Sequence, residues 1–193
     1  MSKEMEKIRA AIRRACAREE AFRNAVPVFG QGAAPCAVMV VGEAPGRDET
    51  RLGAPFVGKA GRFLISVLKD VFGIEREGFY ITNVVKVWPA VETKRRKTRK
   101  PTREEEDFFR PFLMEEIRAV GPKAIIAVGR TAFSALAPGK DFVPGEWVSS
   151  EGLLIMPVYH PSYLLRRQKS LDEATGRLKA ALREVKIKAL TGC

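Results

Sequence analysis

AVMVVGEAPGRDETRLGAPFVGKAG, residues 37–61, decides how the fold is read. Ala37 to Val41 form an unbroken apolar run, the pattern of a short strand buried on both faces of a parallel sheet. Gly42 and Glu43 follow at once, and then a stretch without periodicity that contains Pro45, Asp48, Glu49, Pro55 and Phe56. In open α/β sheets, turn-rich loops at the C-terminal ends of buried strands are where ligands bind. Taken alone, the loop reads equally well as a strand-to-helix connection with helix-capping acids. Two carboxylates and an aromatic ring in one such loop suit a pocket that grips a flat ring and activates water. The segment GAPFVGKA, residues 53–60, nearly spells a phosphate-binding GxxxxGK[ST] loop, but Ala60 supplies no hydroxyl for magnesium and no strand runs into Gly53. The GxGxxG spacing of a dinucleotide fold is absent from the loop.

Working outward, Met5, Ile8, Ile12, Ala15 and Phe22 recur at helical spacing and predict an amphipathic helix over residues 3–22. Phe63, Leu64, Val67, Leu68 and Phe72 mark a second helix, and residues 79–85 (FYITNVV) a second strand. Thr102 and Glu105 form a capping box that opens a helix carrying Phe109, Phe112, Leu113 and Ile117 inward. A third strand is expected at residues 124–128 and a fourth at 153–159, with Ser170 and Glu173 capping a last helix. Buried strands alternating with helices predict the α/β class: a three-layer α/β/α sandwich with a mostly parallel four-stranded sheet, in a single domain spanning residues 1–193.

Lys and Arg number 34 against 23 Asp and Glu, a net charge of +11 that favours an anionic partner, most often nucleic acid. Cys16, Cys36 and Cys193 form no CxxC pair, which argues against a disulfide framework or a zinc site. The N-terminus is charged and helical rather than a signal peptide, and no apolar run approaches a membrane span. The expectation is a soluble, cytoplasmic monomer without membrane contact. Two Asn and two Gln beside many Arg and Glu lean towards a heat-adapted source.

Glu43, Asn83 and His160 each fall at or near the C-terminal end of a different predicted strand. In a parallel sheet those ends share one edge, so the three side chains should converge. His160 is the chain's one histidine, and a lone histidine is more often structural than catalytic. Its place on a strand-end loop before Pro161 and Ser162 favours function. Asn83 interrupts a β-favouring run in which asparagine is disfavoured, a local conflict that marks a functional position or a strand-end cap.

At these residues the chain resembles the uracil-DNA glycosylase superfamily, most closely its family-4 branch. The carrying motifs are GEAPG at 42–46, GAPFVGKAG at 53–61, YITNVVK at 80–86, RPFL at 110–113 and HPSYLLR at 160–166, in order over roughly residues 20 to 170. The resemblance implies a DNA repair enzyme, a monofunctional glycosylase that hydrolyses the N-glycosidic bond of a flipped uracil and leaves an abasic site. Glu43 would polarise the attacking water, with Glu49 supporting it or taking that role. Gly42, Ala44, Phe56 and Asn83 would contact uracil, Phe56 by stacking and Asn83 by hydrogen bonds. His160 would donate to the O2 oxygen of the leaving base. Leu164 or Leu165 would wedge into the helix, and Ser162, Arg166, Lys94, Arg95, Arg96 and Lys97 would contact DNA.

The chain departs from the resemblance at several places. Ala44 stands where the best-known branch carries an aspartate. Family-4 members hold an iron–sulfur cluster on four cysteines, of which Cys16 alone has a counterpart; Arg13, Val87 and Phe109 occupy the other positions. No iron–sulfur cofactor or metal is therefore expected. HPSYLLR has Ser162 and Tyr163 where two small residues usually stand. KRRKTRKP at 94–101 resembles the KRRIHKTP loop of a branch that bonds covalently to uracil-containing DNA, with Thr98 in place of the loop histidine, so covalent trapping is not expected. A basic run is otherwise a solvated face; this one is read as a phosphate contact. Alternatives to uracil removal are a glycosylase for another deaminated base such as hypoxanthine, a non-catalytic damage-binding relative, and a small nucleotide-binding α/β protein.

Overall fold

In the computed structural model, which describes residues 3–91, 97–166 and 171–191, the chain opens with helix α1 (Lys3–Arg18). Its Met5, Ile8, Ile12 and Cys16 form one buried stripe. A short strand β1 (Gln31–Gly32) precedes β2 (Val38–Gly42), which is buried at every position. Helices α2 (Arg47–Leu52) and α3 (Lys59–Phe72) lead to β3 (Tyr80–Asn83). The strands β4 (Ala90–Val91) and β5 (Lys97–Thr98) pair as a small ribbon before helix α4 (Arg103–Val120). Then come β6 (Ala124–Val128), α5 (Arg130–Leu136), β7 (Val148–Ser150), β8 (Leu153–Val158), α6 (Pro161–Arg166) and α7 (Leu171–Lys186).

Among the described residues the main sheet has six strands in the order β1-β3-β2-β6-β8-β7, where the sequence predicted four. The central four, β3, β2, β6 and β8, are parallel and are the predicted ones. The two additions are antiparallel edge strands, β1 on β3 and β7 on β8. Both are only two or three residues long and incompletely buried, so neither carries the apolar run that exposes a central strand in a sequence. Strand β3 also stops short of its expected end. Val84 and Val85 leave the ladder and donate instead to the carbonyls of Gly42 and Glu43, at 2.8 and 3.0 Å. Helix α1 ends at Arg18 rather than at residue 22, and Phe22 is buried beyond it.

Alternate residues of each strand enter opposite cores. Met39, Val41, Tyr80, Ile125, Ala127 and Ile155 pack with buried residues of α1, α4 and α5. Val38, Val40, Ile81, Ile126 and Met156 pack with those of α3 and α7. Helices therefore cover both sheet faces. The capping box of α4 forms as predicted: Thr102 N–H donates to Glu105 Oε2 (2.8 Å) and Glu105 N–H to Thr102 Oγ1 (3.3 Å). Ser170, read as a cap, lies outside the described residues.

Candidate active site

The C-terminal ends of the parallel strands open into a cleft of about 710 Å³. Glu43, Phe56, Asn83 and His160 all line it. The order of strand addition reverses between β2 and β6, since β3 lies on one side of β2 and β6 on the other, and such a point is where these sheets bind ligands. Thr131, just past β6, spans that crevice: its hydroxyl donates to Glu43 Oε2 at 2.6 Å. No described residue donates to the other Glu43 oxygen, which leaves it available to a water.

The register places Gly42 directly beside Asn83 across β2 and β3. A side chain at Gly42 would run into the Phe56 ring and the Asn83 amide, so this glycine is the clearance that lets both groups meet in the cleft. Phe56 holds a left-handed backbone (φ 55°), a strained state for a bulky residue and one that gathers at functional sites. Gly61 permits it, because a Cβ there would strike the Phe56 backbone. Asn83 is buried at 4 % exposure yet lines the cleft, where its side-chain amide can meet a ligand's polar edge.

Beneath Asn83 sits a buried ionic cluster. Lys86 Nζ donates to the Asn83 carbonyl (2.7 Å), to Thr82 Oγ1 (2.8 Å) and to Glu116 Oε2. Thr82 and Tyr80 hydroxyls donate to the same carboxylate at 3.0 and 3.3 Å. Burial pushes Lys86 below its ordinary pKa while Glu116 works against that shift.

His160 follows β8 and is tied by its own loop. Ser162 N–H donates to Nδ1 at 3.2 Å, and the Ser162 hydroxyl lies 2.8 Å from the same nitrogen. An Nδ1 that accepts a backbone N–H carries no proton, which assigns the proton to Nε2 and makes that atom a donor. Burial lowers the His160 pKa first of all; Glu43 and Glu49 raise it and Arg166 lowers it further. The imidazole is thus held neutral, as a donor and not as a standing cation.

Residues 29–185 match the family model of the Uracil DNA glycosylase superfamily. The chain belongs to that superfamily. It is 38 % identical over 150 residues to the type-4 uracil-DNA glycosylase of Thermotoga maritima, covering 74 % of this chain and 73 % of that protein. Identity is 36 % over 156 residues with the type-4 uracil-DNA glycosylase of Sulfurisphaera tokodaii, covering 74 % of this chain and 66 % of that protein. With the type-4 protein of Saccharolobus solfataricus it is 33 % over 174 residues, covering 83 % and 77 %.

Measured against the expected site of a superfamily member, Glu43, Ala44, Glu49, Phe56, Asn83, His160, Ser162 and Arg166 all line the cleft. Glu49 does so with both oxygens engaged, accepting from Gly46 N–H (3.2 Å) and Gly58 N–H (2.7 Å). It ties the start of α2 to the start of α3, and a Cβ at Gly58 would lie 3.0 Å from its carboxylate. Of the two residues expected as a wedge, Leu164 is 2 % exposed and packs in the core under α7. Leu165 is half-buried and outside the cleft lining. Lys97 is exposed on β5, while Lys94, Arg95 and Arg96 lie outside the described residues.

Several cleft residues escaped the sequence reading. Thr131 and Arg130 follow Gly129 at the end of β6, so the strand-end logic that found Asn83 and His160 applied equally to them. Arg99 and Lys100 also line the cleft, and the Arg99 guanidinium forms two 2.7 Å hydrogen bonds to the Glu105 carboxylate. The residues at the positions where the family-4 resemblance implies iron–sulfur cysteines do not fit a cluster. Val87 and Phe109 are 2 % and 0 % exposed within the core, and Arg13 lies over the Phe29 ring at 4.7 Å. Among the described residues no group of three or more His, Cys, Asp or Glu could hold a metal, and no helix is long and apolar enough to cross a membrane.

Proposed function

We propose that this protein removes uracil from DNA, hydrolysing the N-glycosidic bond of an extruded deoxyuridine and leaving an abasic site. The observation that carries this reading is the meeting of Glu43, Phe56, Asn83 and His160 in one cleft at the parallel sheet edge. The names of its relatives, type-4 uracil-DNA glycosylases, support it.

Each group has a chemical task. As the C1′–N1 bond breaks, its electron pair passes to the base, so negative charge gathers on the uracil oxygens and positive charge on the sugar. The neutral His160 Nε2–H donates to the O2 oxygen as that charge develops, a bond that strengthens in the transition state. The Glu43 carboxylate, oriented by Thr131, orients the attacking water and offsets the charge on the sugar. Glu49 holds the loop, since both its oxygens are committed to backbone N–H groups. Phe56 stacks on the uracil ring. The Asn83 amide pairs with the uracil edge, and cytosine presents the opposite donor and acceptor pattern there. With Arg13, Val87 and Phe109 in place of thiolates, the protein works without an iron–sulfur cluster.

Oligonucleotides carrying uracil, hypoxanthine or cytosine at one position, treated with alkali after incubation, test the reading. Uracil alone should yield abasic sites. His160→Ala should slow release by about 10²–10³-fold, with DNA affinity little changed. Release within threefold of wild type would remove His160 from the chemistry, and hypoxanthine cleaved as fast as uracil would overturn the substrate assignment.

A further inference from the structure

Of the two leucines expected to wedge into the helix, Leu164 is core and Leu165 is half-buried, and among the described residues neither lines the cleft. The wall beside His160 is aromatic instead. Tyr159, just past β8, and Tyr163, in α6, hold their rings 5.1 Å apart and 25° from parallel, an offset stack. Tyr159 meets Phe142 edge-on at 6.2 Å, and the Arg130 guanidinium covers Phe142 at 5.0 Å. Tyr159, Tyr163, Phe142, Arg130 and Arg166 all line the cleft that holds Asn83 and His160.

Of the two rings Tyr163 packs partly against the core under α7, whereas Tyr159 is 44 % exposed. The stack is indexed to the proposed chemistry: Tyr163 N–H donates to the His160 carbonyl at 2.9 Å, so the ring pair and the imidazole share one loop. Stacked rings beside cations at the mouth of a groove are how proteins hold successive bases of single-stranded nucleic acid. The net charge of +11 supplies the complementary attraction for the backbone.

We infer that the Tyr159–Tyr163 pair is a stacking platform for the base next to the extruded uridine, and that it biases the protein towards single-stranded substrate. The identity of the extruded nucleotide rests on the glycosylase reading. A neighbouring base in a duplex is already stacked on its own partners and gains little from a second platform. In a single strand it is free to leave its neighbour and extend the tyrosine stack.

The test compares a single-stranded uracil oligonucleotide with the same strand whose two neighbouring nucleotides are abasic, and with the duplex. Tyr163→Ala and Tyr159→Ala should each raise KM on the normal single strand about tenfold, with the loss falling on KM rather than kcat. Phenylalanine at either position should restore binding, because stacking needs the ring and not the hydroxyl. On the abasic-flanked strand the alanine variants and wild type should converge. KM within twofold of wild type for both alanine variants, equal losses on the abasic-flanked strand, or a loss confined to Leu165→Ala would each overturn the platform. If wild type releases no uracil, the glycosylase reading fails instead, and equilibrium binding of the same strands still decides the platform.

Discussion

His160 is the chain's one histidine, so its protonation can be followed without interference from another imidazole. Burial is the largest influence on it and disfavours the charged ring; the carboxylates of Glu43 and Glu49 oppose that, and Arg166 adds to it. The net direction is downward from the ordinary value of about 6.5. The folded protein then binds fewer protons than the unfolded chain between its own lowered pKa and about pH 6.5, so stability should fall as pH drops through that window. The imidazole Cε1 proton, followed by NMR, should titrate with a midpoint below about 6.5. Glu43→Gln removes a neighbour that favours the imidazolium and should drive the midpoint lower still. A wild-type midpoint at or above the ordinary value, or an upward move in Glu43→Gln, would contradict the neutral-donor geometry at Ser162.

At the scale of the elements, the segment just past β3 is joined to α4 through a charge pair taken wholly out of water, with Lys86 and Glu116 side chains 0 % and 1 % exposed. Such a pair is costly to bury and far costlier to break, because the surviving partner stays charged in the core. Lys86→Met should therefore lose about 3–5 kcal/mol in a guanidinium melt, and Lys86→Met with Glu116→Leu should recover much of that loss. If the single variant lies within about 1 kcal/mol of wild type, the pair is not what fastens the end of β3 and the segment after it to α4. Glu116 falls within the buried stripe of Phe109, Leu113, Ile117 and Val120, yet a reading that collects only apolar residues passes over it. The same contrast runs through the fold. The four parallel strands were legible because burial on both faces demands apolar runs, and their shared C-terminal edge was enough to bring Glu43, Asn83 and His160 together. The edge strands β1 and β7 form by pairing with a neighbour and leave no such trace. Which of Leu164 and Leu165 faces inward depends on how α6 docks on the core, a tertiary fact that a six-residue helix does not encode locally.

At the scale of the whole molecule, the question is what holds the corner where α1 meets α4, since the family-4 resemblance implies a cluster there and this chain has one matching thiol. Cys16 is 3 % exposed and burial pushes its pKa up to about 11, so at neutral pH it is a thiol packed as a small apolar group. Around it the rings of Phe22, Phe108 and Phe109 lie 4.8 to 5.1 Å apart. Phe109 is 0 % exposed and Val87 2 %, both in the same core. If aromatic packing takes up the joining role that metal–thiolate bonds would otherwise fill, the stability of this corner should follow ring volume and not iron. Phe109→Ala should destabilise the protein by about 3–5 kcal/mol, which for a chain of this size lowers Tm by roughly 6–20 °C. Growth with added iron and anaerobic purification should leave the wild-type protein colourless and its Tm unmoved. A Phe109→Ala loss below about 1 kcal/mol would show that the rings do not hold the corner. Visible iron–sulfur absorbance with stoichiometric iron would show that something other than the rings does.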